Sequence, residues 1–319
     1  MIRSAGERIR PYIVTTPLIR TPQLDEELRC VSFMKAETMQ VTNSFKIRGA
    51  MNRILTLTRE ERNAGVVTAS SGNFGKAVAY AAARLGIEAH IVLPDTAPKN
   101  KTESIRAYGA ELVISTLAER FETAAGLSRE KGWTLLTPFD DYEIMAGQGT
   151  AGAEIIEQLP ETGRIVIPVG GGGLLGGVAA AVKSMRPDVK IIGAEPAAAA
   201  RYTRSIEAGR PVVLPRSTRS VADGLQTLSP GRLNYPIVRA FVDEIVTVDE
   251  EYIIRALCLL TEKGKLIAEP SAAVPVAAAL QGSLGPDENG NTVFLLSGGN
   301  TDLRQLEAML SAAPVEREG

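Results

Sequence analysis

Ile165-Val166-Ile167-Pro168-Val169-Gly170-Gly171-Gly172-Gly173-Leu174-Leu175-Gly176-Gly177 decides the fold. A short apolar run rich in β-branched residues enters a glycine turn, and Val178 to Met185 then reads as an alanine-rich helix. Lys190-Ile191-Ile192-Gly193 supplies the next strand. Strand, helix and strand at this spacing make a parallel crossover unit. The same alternation continues on both sides. Upstream, Val31 to Lys35 reads as a strand. Val66 to Thr68 is followed by a helix from Lys76 to Leu85, then the strand His90 to Leu93 and a helix around Thr102 to Tyr108. Leu112 to Ile114, a helix from Leu117 to Lys131, and Trp133 to Leu136 complete that block. Downstream, Arg201 to Ser220 carries Pro211 and Pro215 and reads as a loop with one short helix. Helices Tyr252 to Lys263 and Ser271 to Leu280 precede a last strand, Thr292 to Leu296. This is the pattern of parallel sheets covered on both faces. The expected architecture is α/β with two parallel-sheet domains. The smaller, residues 52–141, is inserted between the two parts of the larger, 1–51 and 142–319.

Composition removes several chemistries. Lys plus Arg (35) nearly balances Asp plus Glu (37), so neither nucleic acid nor an acidic membrane surface is indicated as a partner. No apolar run approaches the ~18 residues that span a bilayer. Met1-Ile2-Arg3-Ser4-Ala5-Gly6-Glu7-Arg8 lacks the apolar core of a secretion signal, and the chain is expected in the cytoplasm. Cys30 and Cys258 stand far apart, which points to neither a disulfide framework nor a zinc site. Only the last few residues suggest a disordered tail. The single histidine, His90, lies in the apolar run Ala89 to Leu93 and reads as a buried strand residue. Any Ser-His-Asp or Cys-His catalysis would have to use it, and multi-histidine metal sites are excluded. Acid–base work therefore falls to lysines, carboxylates, hydroxyls or a cofactor.

Three glycine loops follow strands, where the carboxyl ends of a parallel sheet face the ligand crevice. In the first, side-chain-free backbone from Gly170 to Gly173 lets N–H groups converge on a phosphate at a helix N-terminus. Gly171-x-Gly173-x-x-Gly176 also satisfies the dinucleotide fingerprint, with Glu195 about 20 residues on, so a nicotinamide oxidoreductase stays open at this point. A P-loop does not, because Gly75-Lys76-Ala77 lacks the Ser or Thr after lysine. The second loop, Thr68-Ala69-Ser70-Ser71-Gly72-Asn73-Phe74-Gly75, suits a small carboxylate or a phenolic oxygen, and equally an ordinary helix cap. The third is Leu296-Ser297-Gly298-Gly299-Asn300. Asp223 and Glu269 are acidic candidates, each as able to cap a helix as to pair with a base. In Thr42-Asn43-Ser44-Phe45-Lys46-Ile47-Arg48-Gly49-Ala50 a lone lysine sits in the first turn of a helix that Asn43 or Ser44 would cap. There the helix dipole opposes its ammonium and favours the neutral amine that a nucleophile or base requires.

Together these segments resemble the serine/threonine dehydratase and serine racemase family of pyridoxal-phosphate enzymes, fold type II and tryptophan synthase β-like. The resemblance runs in order over nearly the whole chain. It implies that Lys46, beside Phe45, is the Schiff-base lysine and the base at Cα. Ser70, Ser71, Gly72, Asn73 and Phe74 then form the substrate-carboxylate loop, with Asn73 also reaching the pyridoxal 3′-oxygen. Gly170, Gly171, Gly172, Gly173 and Leu174 become the phosphate cup, and Ser297 faces the pyridine nitrogen. Ser71 would carry the proton on the opposite face in a racemising relative. The implied activity is an ammonia-lyase acting on an L-threonine- or L-serine-like β-hydroxy amino acid. Racemisation and cysteine-synthase-like β-replacement are the alternatives on the same fold, and a homodimer is the implied assembly. A nicotinamide enzyme would leave Lys46 and Ser297 without roles, and a non-catalytic binding protein would not need a buried lysine.

Two departures matter. Phe74 stands where relatives usually carry histidine, which makes that wall of the pocket apolar. Relatives with a divalent metal use the glutamate of a Gly-x-Glu-Pro segment and an acid a few residues later. Here Gly193-Ala194-Glu195-Pro196 is followed by alanines and Arg201, so no such metal is expected. The chain also ends soon after the Ser297 loop, so a C-terminal regulatory domain and control by isoleucine are not expected.

Overall fold

The computed structural model describes residues 1–215, 218–286 and 290–312. The tail expected at the C-terminus lies outside them. Among the described residues, ten strands form two sheets: β1 Leu18–Arg20, β2 Val31–Ala36, β3 Val66–Ala69, β4 Ala89–Pro94, β5 Glu111–Ser115, β6 Thr134–Leu135, β7 Arg164–Pro168, β8 Lys190–Pro196, β9 Glu244–Val248 and β10 Asn291–Leu296. The larger sheet runs β1-β2-β10-β7-β8-β9 and the smaller β5-β4-β3-β6. Every pairing is parallel except that of β1 with β2. The α/β class with two parallel sheets is thus present. Short, fully buried runs such as Val66–Ala69 and Arg164–Pro168 form these strands because both faces are covered by helices.

Several boundaries differ from the pattern. The glycine run does not precede its helix but starts it, at Gly173 instead of Val178 (Gly173–Met185). The helix after the Ser71 loop likewise starts at Asn73 (Asn73–Leu85). Helices Lys99–Arg106 and Arg120–Lys131 are displaced or shorter, and β6 shrinks to two residues. Edge strand β9 and the helix Asn234–Phe241 carried too weak a period to be read.

Three helices lie side by side behind the site: the lysine helix Lys46–Leu55, the central helix Tyr142–Gln158 and the cup helix Gly173–Met185. Glycines set their spacing. A Cβ on Gly147 would lie 2.3 Å from the Arg48 carbonyl oxygen, and one on Gly177 2.3 Å from that of Met145. Backbones therefore approach more closely than any side chain permits. The lysine helix also buries Ile47, Ala50, Met51 and Ile54 with Phe74 and Val78, beneath the smaller sheet. A division of the chain at 51/52 falls inside this helix, and one at 141/142 at the start of the central helix.

A buried ionic cluster ties the assembly together. Arg48 donates to Glu37 (Nη2 to Oε1, 2.8 Å) and to Glu154 (Nη1 to Oε1, 2.7 Å), and Lys35 pairs with Glu154 at 2.6 Å. Lys35, Glu37 and Arg48 are all fully buried. The cluster joins the end of β2 to the lysine and central helices. His90 is a buried strand residue, as expected, near the N-terminal end of β4. Its ring stacks on Trp133 with centroids 3.4 Å apart, and its nitrogens face Glu88 and Glu111 at 3.0 and 3.3 Å. That position is at the opposite end of the strand from the loops that carry the motifs.

Candidate active site

Lys46 is the first residue of its helix, but neither expected cap serves it. The N-cap is Phe45, without a side-chain bond. Asn43 sits at φ +57° with its amide donating to Thr38 O, and Ser44 Oγ is buried without a partner. Backbone pairing holds this entry instead. Ser44 and Gly298 form an antiparallel bridge, Phe45 N donates to Ser297 O at 3.0 Å, and Gly299 N donates to Asn43 O at 2.9 Å. Two motifs far apart in the sequence are thereby pressed against one another. Lys46 Nζ donates to Pro138 O at 3.0 Å and lies 5.0 Å from the Phe45 ring and 5.8 Å from the Phe74 ring. Burial pushes the ammonium pKa down to about 8, against the opposing pull of the Glu269 carboxylate. The lowering agrees with expectation, but its main cause is desolvation, where the sequence pointed to the helix dipole.

The glycine cup follows β7. Its residues are fixed from behind, because Gly171 O accepts from Tyr202 Oη (3.0 Å), Asn234 Nδ2 (2.9 Å) and Gly231 N (2.9 Å). Gly172 has φ +97°, and a Cβ there would fall 1.8 Å from Tyr202 Oη; one on Gly171 would fall 2.4 Å from the Phe139 ring. Gly172 thus requires glycine for both conformation and space, and Gly171 for space. Gly173 and Leu174 begin the cup helix, so their N–H groups have no acceptor within it. Gln148 of the central helix is fully buried beside Gly173, with both amide atoms unpartnered. Unpaired donors gathered at a helix N-terminus fit the phosphate of a cofactor ester. Ser297, 3% exposed at the end of β10, supplies a hydroxyl near the lysine loop, and Phe45 supplies an aromatic face. The residues present therefore fit pyridoxal phosphate.

Across from the cup, a cleft is lined by Ser71, Gly72 and Asn73 on the side of the smaller sheet and by Asp223, Glu269 and Thr301 on the other. The Ser70–Gly75 turn is tight: a Cβ on Gly75 would lie 2.0 Å from Ser70 O. Asn73 Nδ2 donates to both Glu269 oxygens, at 2.9 and 3.0 Å. Asn300 Nδ2 donates to Asn73 Oδ1 (2.8 Å), and Lys76 Nζ donates to Asn300 Oδ1 (2.8 Å). Glu269 also raises the proton affinity of both Lys46 and Lys76, so its charge reaches both ammonium groups. Ser70 is not among the cleft-lining residues. Phe74, 2% exposed, belongs to the core beneath the smaller sheet, with its ring toward Lys46. Its apolar character is spent in the core, not on the cleft wall beside Ser71.

Sequence reasoning brought Lys46, Asn73, Glu269 and Ser297 to notice, and the fold brings them together. It missed Pro138, Phe139, Gln148, Tyr202 and Asn234, which act through backbone or through one contact each and have no motif around them. The family model for "Pyridoxal-phosphate dependent enzyme" matches residues 9–298. The chain is 39% identical over 312 residues to an L-threonine ammonia-lyase of Geobacter sulfurreducens, covering 97% of this chain and 77% of that one. It is 41% identical over 311 residues to a serine racemase of Arabidopsis thaliana, covering 96% and 93%. The solved structure of maize serine racemase superposes with a TM-score of 0.92 at 38% identity, covering 97% of this chain and 95% of that one. The chain belongs to the pyridoxal-phosphate dependent enzymes of fold type II, in the group that contains threonine/serine dehydratases and serine racemases. The nicotinamide alternative falls with that membership.

Proposed function

We propose that this enzyme is an ammonia-lyase that converts a β-hydroxy amino acid of the L-threonine or L-serine type into a 2-oxo acid and ammonia. The observation that carries the reading is Lys46, a half-buried lysine with a depressed pKa, paired through its loop with the strand that ends in Ser297. Bound pyridoxal phosphate supplies an electron sink for the substrate's Cα. Lys46 Nζ is the group that would hold the cofactor and, as a free neutral amine, would take the substrate's Cα proton. The Gly170–Leu174 N–H groups bind the phosphate. The Ser71–Asn73 turn at its helix N-terminus would orient the substrate carboxylate, and Ser297 Oγ would be the partner of the ring nitrogen. A hydroxyl there would not hold that nitrogen protonated as a carboxylate would, which would favour prompt loss of the β-hydroxyl. Water and ammonia leave, and one water returns in the hydrolysis that yields the keto group.

A second reading, racemisation, is supported by Ser71 on the cleft wall and by the 41% identity to a serine racemase. Purified enzyme incubated with L-serine and L-threonine decides between them. Ammonia with 2-oxo acid and no D-isomer is expected, whereas a D-isomer without ammonia would replace the lyase reading. Lys46→Ala should abolish turnover and the visible absorption of the bound cofactor; retained activity would refute the role given to Lys46. A cytoplasmic homodimer, with residues 52–141 as the smaller domain, completes the proposal. Light scattering of the purified enzyme tests the dimer.

A further inference from the structure

Arg201 is the largest charged group near the cup that the proposed reaction leaves unused. It is fully buried and opens the short helix Arg201–Glu207, which follows β8 and its Glu195-Pro196 end. Its Nη1 donates to Val169 O at 2.9 Å and to Gly170 O at 3.3 Å, the two carbonyls that lead from β7 into the glycine run. The next residue, Tyr202, holds the third carbonyl in line, that of Gly171. Arg201 and Tyr202 thus bind three consecutive carbonyl oxygens. With those carbonyls held on one side, the N–H groups that follow are left to turn toward a ligand.

Glu195, also fully buried, provides the balancing charge. Its carboxylate accepts from Tyr202 N (3.0 Å), Thr203 N (2.8 Å) and Thr203 Oγ1 (2.8 Å), which ties it to the helix that Arg201 opens. Its charge favours the guanidinium form of Arg201 against the cost of burial. Arg201 Nε and Nη2 have no hydrogen-bond partner, so the arginine is held where its charge is useful at the expense of two unmet donors. Two backbone carbonyls on the guanidinium, with the charge of the Glu195 carboxylate acting on it, make an oxygen-rich setting of the kind that suits a hard divalent cation. In this chain a tethered guanidinium occupies that environment.

We propose that Arg201 is the positioning residue of the glycine cup, a built-in cation that sets the Val169–Gly171 carbonyls so that the cup binds the cofactor phosphate without a divalent metal. This rests on the reading of the cup as a phosphate site. The test is the dissociation constant of pyridoxal phosphate for the apoenzyme, followed by absorption, with thermal melting of each apo form as a check on folding. Wild type should bind equally well with EDTA and with millimolar Mg²⁺. Arg201→Met should weaken binding about tenfold or more, and Arg201→Lys less, because one ammonium keeps the charge but not the two-carbonyl reach. Arg201→Asp should bind poorly in EDTA and recover in Mg²⁺ or Ca²⁺, a rescue that a purely structural loss would not show. Wild-type affinity that collapses in EDTA, or folded Arg201→Lys and Arg201→Asp variants that bind as wild type whatever the metal, would overturn the proposal. Failure of wild type itself to take up pyridoxal phosphate would overturn the cofactor reading, and this inference with it.

Discussion

In the proposed reaction Lys46 meets its cofactor as an amine, and its environment sets the pH at which it can do so. With a pKa of about 8, the neutral fraction rises roughly tenfold per pH unit below that value and levels above it. Reconstitution of the apoenzyme should follow that profile, and the rate of appearance of cofactor absorbance on either side of that pKa checks it. Glu269 opposes the shift, so Glu269→Gln should move the profile to lower pH; an unchanged profile would mean that its charge does not reach Nζ. The same lysine affects stability with a definite sign. Its folded-state pKa lies below the ordinary 10.5, so the unfolded chain binds more protons between about 8 and 10.5, and the apoenzyme should gain stability as pH rises through that window. At this scale the sequence announced the lysine but not the cause of its reactivity. A first-turn position can be read from residues 43–50, whereas the desolvation comes from the packed surroundings that only the fold supplies.

The lysine, central and cup helices carry the registration between Lys46, the proposed covalent anchor, and the glycine run proposed as the phosphate cup. Gly147→Ala would place a methyl 2.3 Å from Arg48 O, a backbone atom that yields only if the two helices part. The expected cost is about 1–3 kcal/mol, with weaker cofactor binding as well, since Lys46 sits at the end of the helix that is pushed away. Gly126→Ala, in Arg120–Lys131 with nothing within 4 Å, is the control and should be neutral or stabilising by up to ~1 kcal/mol. Melting temperatures and cofactor titrations of both variants separate a general helix effect from this specific one. The strand–helix alternation was readable because buried parallel strands are continuous apolar runs. Boundaries at glycines were not, because Gly173 and Asn73 are poor helix formers, yet they begin helices, where the first N–H groups have no acceptor within the helix.

For the whole molecule, acid is expected to act through the Lys35–Glu37–Arg48–Glu154 cluster. The Arg48 guanidinium, helped by hydrogen bonds, holds the buried Glu37 carboxyl below its usual range against the cost of burial. A depressed carboxylate stabilises the fold above its unfolded pKa of about 4.5, and that contribution is lost as pH falls through the lower folded value. Melting temperature should therefore drop steeply below about pH 4.5, and less steeply in a Glu37→Gln variant. Arg48→Met should cost about 3–5 kcal/mol at neutral pH, because the fully buried Glu37 carboxylate loses its partner and Glu154 keeps only Lys35. None of this cluster was evident in the sequence: Lys35, Glu37, Arg48 and Glu154 share no spacing, and only the meeting of β2 with two helices unites them.

The bridge between Ser44 and Gly298 has a consequence in time as well as in space. The ribosome makes the lysine loop early, yet β10, which lies between β2 and β7 and presents Ser297, is the last of these strands to emerge. The smaller sheet draws all its strands from residues 66–135 and can pair before synthesis ends. The larger sheet must hold a gap open until β10 fills it, and it closes through its longest-range contacts. Pulse-labelled hydrogen exchange during refolding should find β3 and β4 protected before β2, β7 and β10. A nascent chain would thus carry its aldehyde-reactive lysine for most of translation without the pocket that makes the lysine selective, and cofactor capture would become the closing event of folding.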